Sequence, residues 1–294
     1  MIRIKKGLNI PINGSPAENI TDSKKSRSVA ILGNDYVGMK PTMLVEEGER
    51  VKLGQPLFED KKNPGVIITS PAGGKIESIN RGERRVLQSI VIEIESDEES
   101  VKFKQVDPND VSNISAEDIR KQLIDSGMWT AFRTRPYSKV PAVDSSPDNI
   151  FISALDTQPL SPDPETIINL HKDDFDFGIS LLKKLTNCPI HLSVSENSSL
   201  EIHEDDQVKK HIFSGPHPAG LVGTQMHFIS PASLSNVNWT IGYQDITAIG
   251  KLFKSGYLSV ERIISLAVPQ VIEPTYVKTR LGACTDELTA GELT

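Results

Sequence analysis

Cysteine is almost missing from this 294-residue chain: Cys188 and Cys284 are the only two, and neither has a CxxC companion. An iron–sulfur cluster takes four thiolates, so no self-contained cluster fits, and free thiols in a reducing compartment are the expectation. Long apolar runs are missing too. Hydrophobic residues make up 37%, and the stretches 29–32 and 266–268 fall far short of the ~18 residues of a membrane helix. The opening MIRIKKGLNIPINGSP carries charge but no apolar segment of the kind a secretory signal needs. Positive charge is in deficit: 32 Lys and Arg against 39 Asp and Glu leave −7, which argues against a nucleic-acid partner. The basic residues are scattered, apart from Lys24-Lys25-Ser26-Arg27 and residues 81–85. His211, His217 and His227 are irregularly spaced, and no Cys or carboxylate pattern completes a metal set. No Ser/His/Asp constellation stands out, and Glu46-Glu47 and Asp173-Asp174 read as exposed charge.

What is present is most concentrated between residues 36 and 82. Short β-type runs alternate there with Gly and Pro turns every six to ten residues, the rhythm of a small flattened barrel. The order is that of a lipoyl/biotinyl-type hairpin domain, in which a tip lysine carries the prosthetic group. Lys61 or Lys62 would be that swinging arm. The span from Lys61 to Pro71 is longer than the carrier pattern, and Asn63-Pro64-Gly65 stiffens the tip. A scaffold barrel with a solvated basic tip is the preferred reading. Residues 86–94 alternate and close it, and 95–100 read as a charged linker.

The period changes near residue 115. Ser115-Ala116-Glu117-Asp118 opens a helix with Ile119, Leu123, Ile124 and Met128 on one face, and Gly127 stops it. Strands are expected at 150–155, 189–194 and 239–241, and helices at 164–185 and 244–253. Such alternation implies an α/β layer with a mostly parallel sheet. Strand character returns at 260–267 and 275–279. The glycine-rich stretch 215–227 lacks the Lys-Ser/Thr of a phosphate loop, and its histidines read as held by backbone hydrogen bonds in a Gly/Pro turn.

Several strings carry a resemblance: IKKGLNIPI, YVGMKPTM, LFEDKKNPGV, INRGERRVLQS, SGMWTAFRTRPYSKVP, GPHPAGLVGTQMHF and NWTIGYQDITAIGKLF. Together they span residues 2 to about 285 and resemble the NqrA family, one of the subunits of the Na⁺-translocating NADH:quinone oxidoreductase. The resemblance implies a multidomain α+β fold in three parts. Residues 1–102 would form an all-β lipoyl/biotinyl-like barrel-sandwich domain, 103–256 a Rossmann-like α/β domain, and 257–294 the start of a β-grasp domain of SLBB type. It also implies a truncated family member and a peripheral subunit on the cytoplasmic side of the bacterial inner membrane. This subunit would support quinone reduction coupled to Na⁺ export, inactive alone and docked at the quinone end on a membrane subunit. FMN, FAD and iron–sulfur centres are expected in the other subunits, and no cofactor or metal on this chain.

The family is similar in turn to the flavin- and NADH-binding subunit of complex I and to a subunit of the Rnf complex, so the alternative is a flavin/NADH-binding redox subunit of complex I type. In that relative a glycine-rich loop follows the helix and admits the flavin phosphate. Here no glycine occurs between Met128 and Pro141, and Trp129, Phe132 and Pro136 are expected to fill the phosphate space. The acidic element of that relative is reduced to Ser153-Ala154-Leu155-Asp156-Thr157. The segment FRTRPYSK supplies a candidate quinone site instead. A headgroup would stack on Phe132 or Tyr137, Arg133 or Arg135 would donate to a carbonyl oxygen, and Lys139 and Tyr36 would stand nearby. The competing reading uses the same arginines to fasten the domains or a partner subunit.

Overall fold

The computed structural model describes residues 1–23 and 25–294; Lys24, a member of the first basic cluster, lies outside the described residues. Two antiparallel sheets make the barrel-sandwich. One has the order Ser28–Leu32, Leu87–Ile94, Gly74–Arg81, Arg50–Val51; the other has Pro41–Met43, Pro56–Asp60, Ile67–Thr69. Alternation turns Ile90 and Ile92 inward, and an irregularity in the ladder opposite Ser89 and Leu87 lets Leu87 join them, each at most 2% exposed, in one core with Phe58 and Ile76.

The hairpin tip at residues 61–65 is fastened at its base and on its flank. The buried Asp60 carboxylate accepts from the amides of Lys40 (3.0 Å) and Lys62 (2.9 Å). The Asn63 side-chain amide donates to the carbonyls of Val140 (3.0 Å) and Pro141 (3.2 Å), in the next domain. Gly65, at φ +87°, sits so close that an added Cβ would stand 3.2 Å from Val143. A tip held this way is a strut between domains, whereas a carrier lysine needs a free one.

The second layer is a six-stranded sheet. Its order is Ile2–Arg3, Val208–Ser214, Ile190–Ser195, Asn149–Ala154, Asn238–Thr240, Arg133–Arg135. All pairs are parallel except the last. Ser115 caps helix Ala116–Asp125 by accepting from the Asp118 amide at 3.0 Å, and Gly127 ends it at φ +77°. The single helix expected at 164–185 is two, Pro164–Leu170 and Lys172–Leu185, broken at His171. Strand Val208–Ser214 and helix Val222–Ile229 carry too weak a period to be read from sequence.

Helix Lys172–Leu185 crosses helix Tyr243–Ser255 at contact distance. A Cβ on Gly178 would lie 2.3 Å from the Ile246 carbonyl oxygen, and one on Gly250 would lie 1.8 Å from that of Asp174. Both glycines therefore permit the backbones to touch.

A fourth, small sheet joins Glu261–Leu266 antiparallel to Thr275–Arg280, which pairs in parallel with Ala17–Asp22. The first residues thus differ from the sequence reading, which keeps everything up to 102 in the barrel. Ile2–Arg3 completes the α/β sheet and Ala17–Asp22 completes the C-terminal one. A continuous apolar core runs from barrel residues such as Phe58 and Ile68 to Trp239 and Phe253 in the α/β layer. No helix among the described residues is long and apolar enough to cross a membrane.

Candidate functional site

The segment that follows Gly127 splits its side chains between core and cleft. Met128–Ala131 is a single 3-10 turn. From it Trp129 and Phe132 point inward, both 0% exposed, and meet Trp239 in an aromatic trio with centroids 5.4–5.5 Å apart. The Trp129 indole N–H donates to the Pro141 carbonyl (2.9 Å), and the Arg120 guanidinium lies 5.0 Å from its ring. This corrects two expectations. Phe132 is core and offers no face to a ligand. Nor do Trp129 and Phe132 fill the cleft by bulk. What the turn withholds is backbone donors: Thr130 N–H is given to the Gly127 carbonyl and Phe132 N–H to that of Trp129. A phosphate cradle needs such groups pointing outward.

Arg133 leaves the trio for the other side. Its guanidinium donates to the carbonyls of Thr130, Phe132 (3.0 Å) and Asp35 (3.3 Å), and stands 6.0 Å over the Tyr36 ring. Tyr36 is half-buried, edge-on to Phe58 at 6.2 Å. Burial pushes its hydroxyl up to about 12, against the opposing pull of Arg133, so it is a neutral donor at any physiological pH. Tyr36 and Arg133 line a cleft of about 490 Å³ to which barrel, α/β layer and C-terminal segment all contribute. Ile68 and Thr69 come from the barrel, Gly127 and Met128 from the α/β layer, and Leu258, Arg262 and Leu281 from the C-terminal segment. Thr69 Oγ1 ties barrel to helix end by donating to the Ser126 carbonyl at 2.8 Å.

The other expected residues divide around this cleft. Arg135 is half-buried, and burial followed by the charge of Arg133 draws its pKa down. Tyr137 is 69% exposed at φ +82°, on a turn closed by the Thr134 amide donating to the Lys139 carbonyl (2.8 Å). Lys139 is exposed, its Cε 3.7 Å from where a Cβ on Gly38 would sit. Tyr36 and Arg133 are therefore brought together, Lys139 sits over the Tyr36 loop, and Phe132 and Tyr137 point elsewhere. Sequence reasoning missed the far wall of the cleft. Arg262, ion-paired to Asp245, comes from more than a hundred residues away, and no local signal announces it.

The histidines serve structure. His217 bridges to Thr157 Oγ1 (3.1 Å), its amide donates to Asn9 Oδ1 (2.8 Å), and its carbonyl accepts from Leu8 (3.0 Å). His211 bonds His191 (2.9 Å), which bonds Asn149 Oδ1 (3.1 Å) and stacks on Phe151. Among the described residues no three His, Cys, Asp or Glu side chains are grouped to hold a metal ion.

Comparison with known proteins accounts for most of the chain. Residues 2–95 match the NqrA N-terminal barrel-sandwich hybrid domain, 114–258 the NqrA second alpha/beta domain, and 263–294 the NQRA C-terminal domain. The NqrA subunit of the Na(+)-translocating NADH-quinone reductase of Yersinia pestis is 52% identical over 293 residues. Those of Photorhabdus laumondii and Neisseria gonorrhoeae are 54% and 50% identical over 293 residues. Each alignment covers 100% of this chain and 65% of the relative, so the chain spans just under two thirds of their length. With its three domain types in this order and half its residues identical to those relatives, the chain belongs to the NqrA family.

Proposed function

We propose that this chain acts as a peripheral, cofactor-free subunit of a Na⁺-pumping NADH:ubiquinone oxidoreductase, on the cytoplasmic side of the membrane. It holds the quinone-reducing end against a membrane subunit, while flavins and iron–sulfur centres reside in other subunits. The observation that carries this reading is identity of 50–54% across the whole chain to relatives named as the corresponding subunit of that reductase.

The parallel run Val208–Ser214, Ile190–Ser195, Asn149–Ala154, Asn238–Thr240 has the third-second-first-fourth order of a Rossmann-like half. A crevice of about 330 Å³ beside Ser153, Gly220 and Gly242 lies where that order reverses. Strands Glu261–Leu266 and Thr275–Arg280 with the short helix Thr285–Thr289 fit the beginning of a β-grasp unit.

Within this reading the cleft between the three domains takes the quinone headgroup. Arg133 and the neutral Tyr36 hydroxyl are the donors to a carbonyl oxygen, and Met128, Ile68 and Leu258 cover the flat ring. Arg135, Tyr137 and Lys139 lie outside the residues that line it. Equilibrium binding of a soluble short-chain ubiquinone to the purified chain tests this, with FMN and NADH in parallel. Saturable quinone binding that weakens at least tenfold in Arg133→Ala and Tyr36→Phe supports the site. Unchanged affinity in both variants removes it, and stoichiometric tight binding of FMN would reinstate the flavin alternative.

A further inference from the structure

A second pocket, of about 390 Å³, opens on the barrel beside the Tyr36 loop and departs from the charge of the chain around it. Lys40, Lys62, Arg84 and Arg85 line it, and no carboxylate does, in a protein whose net charge is −7. None of the four makes an ion pair among the described residues. Asp60, next to the tip that carries Lys62, is buried, and its Oδ1 accepts from the amides of both Lys40 and Lys62. Two large apolar side chains stand exposed at the rim, Val37 at 51% and Val86 at 57%.

The arginines sit where conformation alone would not put them. Arg84 (φ 54°, ψ 25°) and Arg85 (φ 61°) are the two central residues of a hairpin turn closed by the Val86 amide donating to the Glu83 carbonyl at 3.2 Å. A two-residue turn with both φ positive favours Asn-Gly, because side chains crowd the backbone there. A sequence that keeps two long cations at such a tip sets local preference aside, and such conflicts cluster at functional positions.

We infer that this face binds anionic phospholipid headgroups at a membrane surface, with Val37 and Val86 entering the interfacial layer beside the four cations. Basic residues ringing exposed aliphatic side chains match a surface that is negatively charged outside and apolar within. The inference rests on the peripheral-subunit reading, and the two fail separately. Assembly onto the membrane subunits tests the first, and bare vesicles test the second.

The experiment is co-flotation of the purified chain with phosphatidylglycerol/phosphatidylcholine vesicles, against pure phosphatidylcholine and with glycerol phosphate as free competitor. Binding is expected only to anionic vesicles, to fall with salt, and to resist glycerol phosphate. The double variant Arg84→Asn/Arg85→Gly should weaken it about twenty-five-fold, at about fivefold per cation removed. That variant suits the turn better than the native residues, so its loss of binding cannot come from misfolding. Equal binding to neutral vesicles, or undiminished binding by the double variant, overturns the inference. So does lipid-free capture by an acidic membrane subunit that the same variant abolishes, which would give the face to a protein.

Discussion

His191 shows how far burial and like-charged neighbours together can shift a side chain here. It is 7% exposed, and desolvation, then the neighbouring charges of His211 and Lys209, hold its pKa down to about 4. An unfolded histidine titrates near 6.5, so between pH 6.5 and 4 the unfolded chain binds the extra proton. Stability from the neutral imidazole is complete above pH 6.5 and is lost as pH falls toward 4, by about 3 kcal/mol at the limit. His171 and His211 are lowered too and act in the same direction. The urea midpoint should therefore drop steeply across that range, and His191→Gln should flatten the drop. An unchanged slope would mean that the His191–Asn149 pair is hydrated. None of this was legible in the sequence, where His191 is one polar residue in an apolar run. Its partners, Asn149 and His211, are supplied by neighbouring strands at register positions that only the folded sheet defines.

At the scale of elements, two glycines with the same helical propensity should respond in opposite ways to alanine. Gly250→Ala gains about 1 kcal/mol of helix propensity, but its Cβ would meet the Asp174 carbonyl oxygen at 1.8 Å. Separating two packed helices costs about 3 kcal/mol or more, so the net effect is destabilising. Gly223, in helix Val222–Ile229, has nothing within 4 Å of the same position. Gly223→Ala should therefore stabilise by about 0.8 kcal/mol, read as a shifted denaturant midpoint. The hairpin tip behaves similarly. Arg84→Asn/Arg85→Gly should raise stability by roughly 1 kcal/mol, through relief of two left-handed non-glycine residues. Elements with local signals were legible: the Ser115 cap, the Gly127 stop and the alternation of Leu87–Ile94 each announce themselves. Helix Val222–Ile229 was not, because Gly223, Thr224 and Gln225 break its apolar period and the preceding Gly/Pro residues read as loop.

On the scale of the whole molecule, the C-terminal sheet is clamped on two sides. Arg280 makes a two-pronged pair with Glu98 (2.6 and 3.1 Å) and donates to the Pro71 carbonyl (2.7 Å), tying it to the barrel. Lys251 and His171 both reach Glu261 (2.9 and 3.0 Å), tying it to the α/β layer. Arg280→Ala should cost on the order of 2 kcal/mol by leaving a half-buried carboxylate with the Gly73 amide as its remaining partner. Limited proteolysis should then cut within residues 261–294 ahead of the barrel. Equal rates at both sites would show that Glu98 finds another cation. These long-range pairs explain why domain types were readable from sequence while the wall that Arg262 adds to the cleft was not. Tyr36, Arg133 and Arg262 come from three separate stretches, and only the packed arrangement places them on one cavity.

The path of the first two dozen residues has a consequence in time. Ile2–Arg3 and Ala17–Asp22 precede the other described strands in the sequence, yet their partners are Phe213–Ser214 and Thr275–Lys278. At about 5–20 residues per second, Ala17–Asp22 waits on the order of ten to fifty seconds for Thr275 to be translated. The barrel strands between Ser28 and Ile94 find their ladder partners among themselves, apart from a single bridge from Val29 to Ala283, so they can close long before this happens. The leading segment, with exposed Leu8 and Ile10, thus spends most of its synthesis unclaimed, a span in which a chaperone has something to hold.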